Sequence, residues 1–335
     1  MKILLVKLSS LGDVVHTLPV VQDILAAMPD AQIDWVVEKA FAPLLKQVHG
    51  LQRIIPCELR RWRTSFWSAQ TRIEWRAFKA DLQTDSYDAV IDLQGLTKSA
   101  VVVRLVKLAA HGKRYAMANQ TDGSGYEAPT RWAADVAIKL PQHSHAVQRG
   151  REQAARALGY SVPKVAEFAL ASLSNMTQGH MIQAQTAPKN IAKKLAFIHG
   201  TSRQDKEWPL QSWVELGQRL AETGYQVMLV HGNDKELATS QAIASQLSSS
   251  IVLPLLSLDA LTQELAQCAG AVGVDSGVSH IAVALGLPHV QIYNFDTAWR
   301  TGPLDCAYQT SIFARDCPTV DAVWQAWLRC ESAAP

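Results

Sequence analysis

The sequence predicts an α/β protein made of two parallel-sheet halves. Three observations carry this. The chain opens with an apolar run, Met1 to Leu8, that enters a small-residue loop and then a helical pattern. Strand-like and helix-like runs alternate through the first half, as they do in a parallel sheet covered by helices. The same alternation starts afresh at Leu195, after a stretch over 171–193 with weak periodicity and much Gln, Ser and Thr.

Each element has its own signal. Ile3 to Val6 is a buried-strand run, and Ser9-Ser10-Leu11-Gly12-Asp13 is the loop after it. Val14, Val15, Leu18, Val21, Ile24, Leu25 and Met28 then repeat at helical spacing. Ile33–Glu38 reads as a second strand, Arg53–Pro56 as a third and Asp88–Leu93 as a fourth, with a helix from Gly95 to Leu108. In the second half, Leu195–His199, Gln226–His231, Ala271–Asp275 and His289–Tyr293 read as strands. Trp208-Pro209 opens a helix that Gly224 closes, with Pro near the first helical position and Gly past the last. Further helices follow Gly232, through Glu236, and Ser276-Gly277, to Leu285. The final helix, Val320–Arg329, carries Val323, Trp324 and Trp327 on an apolar face. Two such sets, each with a polar loop after its first strand, predict two similar lobes facing across a cleft.

The bulk numbers fit this. At 335 residues the chain suits two domains. A net charge of +2 points to no polyanionic partner. The five cysteines are odd in number and form no Cys-x-x-Cys, which supports neither a disulfide framework nor a zinc site and fits a reducing cytoplasm. The expectation is of no secretory leader, since Lys7 interrupts the first apolar run. No stretch approaches the ~20 apolar residues that cross a bilayer, so the protein is expected to be soluble or peripheral.

One segment departs from the neutral average. From Arg53 to Lys79 there are seven basic residues against Glu58 and Glu74, a local charge of +5. Trp62, Phe66, Trp67, Trp75 and Phe78 are interleaved, and Phe66, Ile73 and Ala77 share one helical face. Three readings apply: a surface helix whose aromatics pack on the core, a site for an anionic ligand, or contact with an anionic membrane surface. Nothing else supports nucleic acid.

Candidate chemistry sits in the loops at strand ends, where ligands bind in such sheets. Asp13 caps its helix or takes part in catalysis. Thr201, Ser202 and Lys206 offer hydroxyls, amides and a cation to an anion. Asp275-Ser276-Gly277 enters a helix whose free amides suit a phosphate. Glu236 follows a strand end, where a carboxylate can hold ribose hydroxyls. His280, one turn beyond Ser276, either faces the same ligand or is packed in the core.

Several motif matches fail. Gly123-x-Gly125-x-x-Ala128 follows no strand and runs into Pro129, so it is no dinucleotide fingerprint and reads as part of a mobile loop over 118–130. His143 and His145 have no evident partner carboxylate for a metal. Gly-Val-Asp-Ser-Gly is not the serine-hydrolase elbow.

Taken together, Lys7-Leu-Ser-Ser-Leu-Gly-Asp13 with His16-Thr-Leu-Pro19, Arg60-Arg-Trp-Arg63, Asp92-Leu-Gln-Gly-Leu-Thr-Lys98, His199-Gly-Thr-Ser-Arg-Gln-Asp-Lys206-Glu-Trp-Pro209 and Asp275-Ser-Gly-Val-Ser-His280 resemble the bacterial lipopolysaccharide heptosyltransferases of glycosyltransferase family 9. The Arg-Arg-Trp-Arg and Gln-Gly-Leu-x-Lys blocks favour the type I branch over relatives such as type II. The resemblance implies a GT-B fold of two Rossmann-like lobes. The acceptor lobe would span 1–175, a linker 176–193, the donor lobe 194–318 and a C-terminal helix 319–335, free to return to the first lobe.

The resemblance further implies inverting transfer of L-glycero-D-manno-heptose from ADP-heptose to Kdo of Kdo2-lipid A. It makes Asp13 the general base. Thr201, Ser202, Lys206, Asp275, Ser276, Gly277 and His280 would hold the donor, with Glu236 on the ribose and Leu256 against adenine. Ser10, Gly12, Arg60, Arg61, Arg63 and Lys98 would meet the anionic acceptor. No cofactor or metal is expected, since fixed cations and helix amides can stabilise a leaving diphosphate. A monomer at the cytoplasmic face of the inner membrane is implied, with no nucleic-acid partner. Two stretches depart from the family pattern: Asn294–Arg300, where donor contacts do not carry over, and the loop at 118–131, where Arg131 is the candidate acceptor arginine. Among readings outside the family, a solute-binding protein would need a leader, a nicotinamide dehydrogenase lacks its glycine fingerprint, and a membrane-surface protein would not need Asp13 or Lys206.

Overall fold

The structure is a computed structural model that describes residues 1–170, 193–304 and 306–335. It divides into two compact units, Met1–Leu170 and Ala171–Pro335. Apart from Lys193, the linker expected at 176–193 lies outside the described residues.

The first unit holds strands β1 (Lys2–Val6), β2 (Gln32–Glu38), β3 (Leu51–Cys57), β4 (Tyr87–Asp92), β5 (Leu108–Met117) and β6 (Val136–Ile138). They form one parallel sheet in the order β3-β2-β1-β4-β5-β6. Ile3, Leu4, Leu5 and Val6 are all fully buried, as expected of a central strand covered on both faces. Helix Leu11–Ala27 follows β1 and packs on helix Ala146–Leu158. The other helices of this unit include Leu59–Thr64, Ala69–Leu82 and Thr97–Leu105.

The second unit holds β7 (Lys193–Ile198), β8 (Tyr225–Leu229), β9 (Ser250–Val252), β10 (Gly270–Val274), β11 (His289–Tyr293) and β12 (Gln309–Phe313). Their order is β12-β11-β10-β7-β8-β9, again all parallel. Counted from its own first strand, this sheet repeats the order of the first. Helix Leu210–Glu222 buries Trp213, Leu216 and Leu220 on it, and Gly224 follows at φ +88°. That left-handed conformation suits glycine and ends the helix.

Three expectations are corrected. The final helix, Val320–Ala333, does not stand apart as a returning segment. It buries Val323, Ala326 and Trp327 in the core of the second sheet, against β11 and β12. Phe66, Ile73 and Ala77 do not share one helical face. Phe66 precedes helix Ala69–Leu82, Ile73 is exposed, and Thr71, Phe78 and Leu82 make the buried side. The loop at 118–130 carries hydrogen bonds: Glu127 N–H donates to the Gly95 carbonyl, Tyr126 Oη donates to the Ala118 carbonyl, and the Thr121 and Ser124 hydroxyls bond each other. Asp122 does stand beside His143, 3.2 Å away; among the described residues, no three His, Cys, Asp or Glu side chains gather closely enough to hold a metal.

Candidate functional site

In a doubly wound sheet the crevice opens where neighbouring strands send their chains in opposite directions. In the first sheet this is the gap between β1 and β4, and in the second between β7 and β10. The expected motifs fall on these gaps. Lys7–Asp13 leaves β1, Leu93–Lys98 leaves β4, His199–Lys206 leaves β7, and Asp275–Gly277 leaves β10.

At the first gap Asp13 occupies the third position of its helix. Its Oδ2 accepts from the Ser10 N–H and the Ser10 hydroxyl, both at 3.0 Å, so it does cap the helix. Its Oδ1 lies 3.4 Å from the Lys7 ammonium. Burial alone would raise the Asp13 pKa. Lys7, the Ser10 hydrogen bonds and Arg149 outweigh it and hold the carboxyl at about 2. Lys7 is itself buried, donates to the Leu93 carbonyl at 2.9 Å, and has its pKa lowered by that burial.

Gln94 joins the two loops. Its Oε1 accepts from the Leu8 and Ser9 amides, both at 2.9 Å. Asp92 fixes Gln94 in turn, taking the Gln94 N–H at 3.0 Å, the Gly95 N–H at 3.2 Å and the Ser99 hydroxyl at 2.9 Å. Burial lifts the Asp92 pKa to about 6. Lys98 donates to the Ser9 hydroxyl at 2.7 Å, and burial followed by nearby Arg60 lowers its pKa. Gly12 lies in the first turn of the helix beside Asp13.

Of the three arginines after β3, Arg60 and Arg63 are exposed, and among the described residues neither forms an ion pair. Arg61 does: its guanidinium is shared between Glu58 and Glu74. Arg131 sits on helix Pro129–Ala133 with its guanidinium over the Trp132 ring.

At the second gap Asp275 is the hub. It is 7% exposed; Lys206 Nζ meets its Oδ2 at 2.5 Å, His280 Nε2 lies 3.5 Å from Oδ1, and the Thr301 hydroxyl donates to Oδ1 at 3.4 Å. Burial would raise the Asp275 pKa, but His280 and Lys206 drive it well below the usual carboxylate range. His280 is thus both packed and turned to this cluster. The Thr201 hydroxyl donates to the Asp275 carbonyl at 3.3 Å. Ser276 caps helix Gly277–Ala284 by accepting from the Ser279 amide.

A concavity of about 440 Å³ opens beside this cluster, walled by His199, Gly200, Thr201, Trp208, Asn233, Glu236 and others. Glu236 takes the Gly232 amide at 2.7 Å and the Asn233 side-chain amide at 2.9 Å. Ser202 is exposed in the loop, and Leu256 is half-buried after β9; neither lines the concavity. The Asn294 side chain, in the stretch whose contacts could not be expected, donates to the Asp205 and Glu207 carbonyls and braces the Lys206 loop.

The sequence assigns no role to Lys7, Gln94 or Thr301. Lys7 and Gln94 lie inside two of the motif blocks, just past the ends of β1 and β4, and that placement is the available signal. Thr301 had none, because its short helix Ala298–Thr301 follows a stretch outside the family pattern.

Comparison with known proteins bears on family and fold. The family model "Glycosyltransferase family 9 (heptosyltransferase)" matches residues 75–319. Lipopolysaccharide heptosyltransferase 1 of Escherichia coli K12 is 37% identical over 297 residues, 88% of this chain and 88% of the relative. The structure of E. coli heptosyltransferase WaaC with ADP superposes with a TM-score of 0.84 at 34% identity, covering 97% of this chain and 98% of that one. The same enzyme with ADP-2-deoxy-2-fluoro heptose gives a TM-score of 0.79 over the same coverage. With the two GT-B-like sheets, the motifs at their crevices and this degree of identity, the chain belongs to glycosyltransferase family 9.

Proposed function

We propose that this transferase moves L-glycero-D-manno-heptose from ADP-heptose to Kdo of Kdo2-lipid A, with inversion. The observation that carries the reading is the pairing of motif and place. Blocks shared with the heptosyltransferases lie at both sheet crevices, with the carboxylate Asp13 at the first and a cation–carboxylate–imidazole cluster at the second. The solved relative that binds an ADP-heptose analogue supports the donor.

Inverting transfer needs one base on the acceptor hydroxyl while the leaving group departs from the opposite face. Asp13 is ionised at any working pH, and as a weak base it takes the proton late, when the acceptor oxygen is already bonding to the sugar. Lys206, with the Thr201 and Ser202 groups and the amides at Ser276–Gly277, stabilises the departing diphosphate. Asp275 and His280 hold Lys206 and the loop in place, Glu236 takes the ribose hydroxyls, and Leu256 lies against adenine. Ser10, Gly12 and Lys98 border the acceptor, whose anionic groups meet Arg60 and Arg63, and Arg61 once it exchanges a glutamate for substrate. No metal is required in this scheme. The protein works as a monomer at the cytoplasmic face of the inner membrane.

The test is ADP release from ADP-heptose and de-acylated Kdo2-lipid A by wild type and Asp13→Ala. Acceptor-dependent release lost in the variant, with ADP binding retained, is expected. No release from wild type would remove this substrate pair. A heptosylated acceptor used in preference to the Kdo acceptor would move the chain to the type II activity.

A further inference from the structure

The basic, aromatic segment contains a second concavity. Trp62, Phe66, Thr71, Arg72, Trp75 and Arg76 line a half-open concavity of about 460 Å³, open solvent included, between helix Leu59–Thr64 and helix Ala69–Leu82. Its walls present carbon. The Trp62 indole N–H is already given to Glu74 at 2.8 Å. The Thr71 hydroxyl is held by those of Ser65 and Ser68, at 2.8 and 3.1 Å. Trp62 and Trp75 meet edge to face at 5.8 Å, which fixes both rings.

The rim is the opposite. Arg72 and Arg76 are one helical turn apart, and Lys79 lies on the same flank, within about 60° of arc. Among the described residues none of the three forms an ion pair. Glu74, the one carboxylate on that helix near them, is committed to Arg61, Trp62 and Gln70. Like charges at this spacing destabilise a helix, and an anion would relieve the repulsion. Phe66, at the mouth, is 58% exposed, and just outside Trp67 and Ile73 are 86% and 59% exposed. Large apolar groups left in water beside a positive rim mark an interaction site.

An aromatic slot beside two arginines, open to solvent along one side, fits an amphiphile with one apolar chain and an anionic head. We propose that this slot takes a fatty acyl chain, its phosphate or carboxylate held by Arg72 and Arg76. The proposal rests on the reading of a lipid acceptor only for the source of the chain, which is either the acceptor itself or a phospholipid of the membrane.

The experiment is a titration of the full chain with cis-parinaric acid. One saturable equivalent is expected, displaced by dodecyl phosphate but not by dodecanol, with affinity at least tenfold weaker in Arg72→Gln/Arg76→Gln. Phe66→Asp, at the mouth of the slot, is expected to weaken it similarly. Non-saturable binding, equal displacement by dodecanol, or unchanged affinity in both variants would overturn the proposal. Two further arms separate the sources. If the double variant no longer associates with phosphatidylglycerol vesicles, the chain comes from the bilayer. If it loses the KM advantage of acylated over de-acylated acceptor, the chain is the acceptor's own. No change in either arm also overturns the proposal. Failure of the transferase reading is distinct: wild type would then release no ADP with de-acylated acceptor, whatever the titration shows.

Discussion

The Lys7 ammonium stands 3.4 Å from Asp13 Oδ1, inside a loop where Lys7 has almost no contact with water. This pair sets the ionisation of the proposed base. Burial works against the Asp13 carboxylate, and Lys7 is the largest influence opposing it. Replacing Lys7 by Met leaves burial in place and removes the cation. The Asp13 pKa should therefore rise from about 2 toward the ordinary 3.8. Its ionised form is needed for activity, so the acidic limb of the kcat/KM profile should move up by as much as about two pH units. A profile between pH 3 and 9 checks this. A Lys7→Met profile that matches wild type down to pH 3 would show that the pair does not tune the base.

Gln94 holds the same loop by its backbone. It is the acceptor for two buried amides, Leu8 and Ser9. Gln94→Leu leaves both without a partner, at roughly 1–3 kcal/mol each. The loop should then move to find other partners and carry Ser10 and Asp13 with it. The expected result is a lowered Tm and a kcat reduced about tenfold or more, with the KM for the sugar donor unchanged because the second crevice is untouched. Gln94→Glu keeps an acceptor oxygen and should recover most of the activity. Loss of donor affinity instead of kcat would assign the effect to general misfolding.

His289 gives the second unit a pH dependence. It is fully buried on β11, donates from Nδ1 to the Ala271 carbonyl at 3.0 Å, and among the described residues its Nε2 has no partner. Burial pushes its pKa from 6.5 to about 3. The unfolded chain therefore binds a proton below 6.5 that the folded chain refuses until about 3. Stability from this group is complete above 6.5 and is lost as pH falls toward 3. Between pH 7 and 5 it amounts to about 2 kcal/mol for one group. Urea unfolding of wild type and His289→Leu at the two pH values should show that much less acid sensitivity in the variant. Equal slopes would mean another group carries it.

How much of this was legible in the sequence varied with chemistry. Apolar strands such as Ile3–Val6 and Ala271–Val274 announced themselves, and with them the loops that build both crevices. Strand β5 did not, because Leu108–Met117 is polar and half-exposed over most of its length. Helix Ala146–Leu158 was missed for a different reason. Its buried side carries Arg149, Arg151 and Gln153, which read as solvent-facing. Arg151 is buried because Asp23 pairs with it at 2.7 Å and it also serves the Pro163 and Val165 carbonyls; Gln153 donates to the Asp92 carbonyl at 2.7 Å. Partners distant in sequence make polar residues fit a core, and spacing cannot show them. The same limit applied to Asp13. Cap and base looked like alternatives in the sequence, whereas the two oxygens divide between Ser10 and Lys7 in the structure.

Gly200 offers the sharpest steric test of the donor crevice. A Cβ added there would lie 2.6 Å from Glu236 Cδ and under 3.0 Å from both carboxylate oxygens. No backbone blocks it, so the glutamate must yield. To do so it leaves the Gly232 amide and the Asn233 side chain, at roughly 1 kcal/mol for each hydrogen bond. Gly200→Ala should therefore cost about 2 kcal/mol of stability and displace the group proposed to hold ribose. ADP affinity by calorimetry is expected to fall tenfold or more, with acceptor KM unchanged. Gly200→Ala/Glu236→Ala removes the clash. Its stability should return toward that of Glu236→Ala alone, while ADP affinity stays low. Recovery of affinity in the double variant would mean that Glu236 only fills space beside Gly200 and that the ribose is held elsewhere.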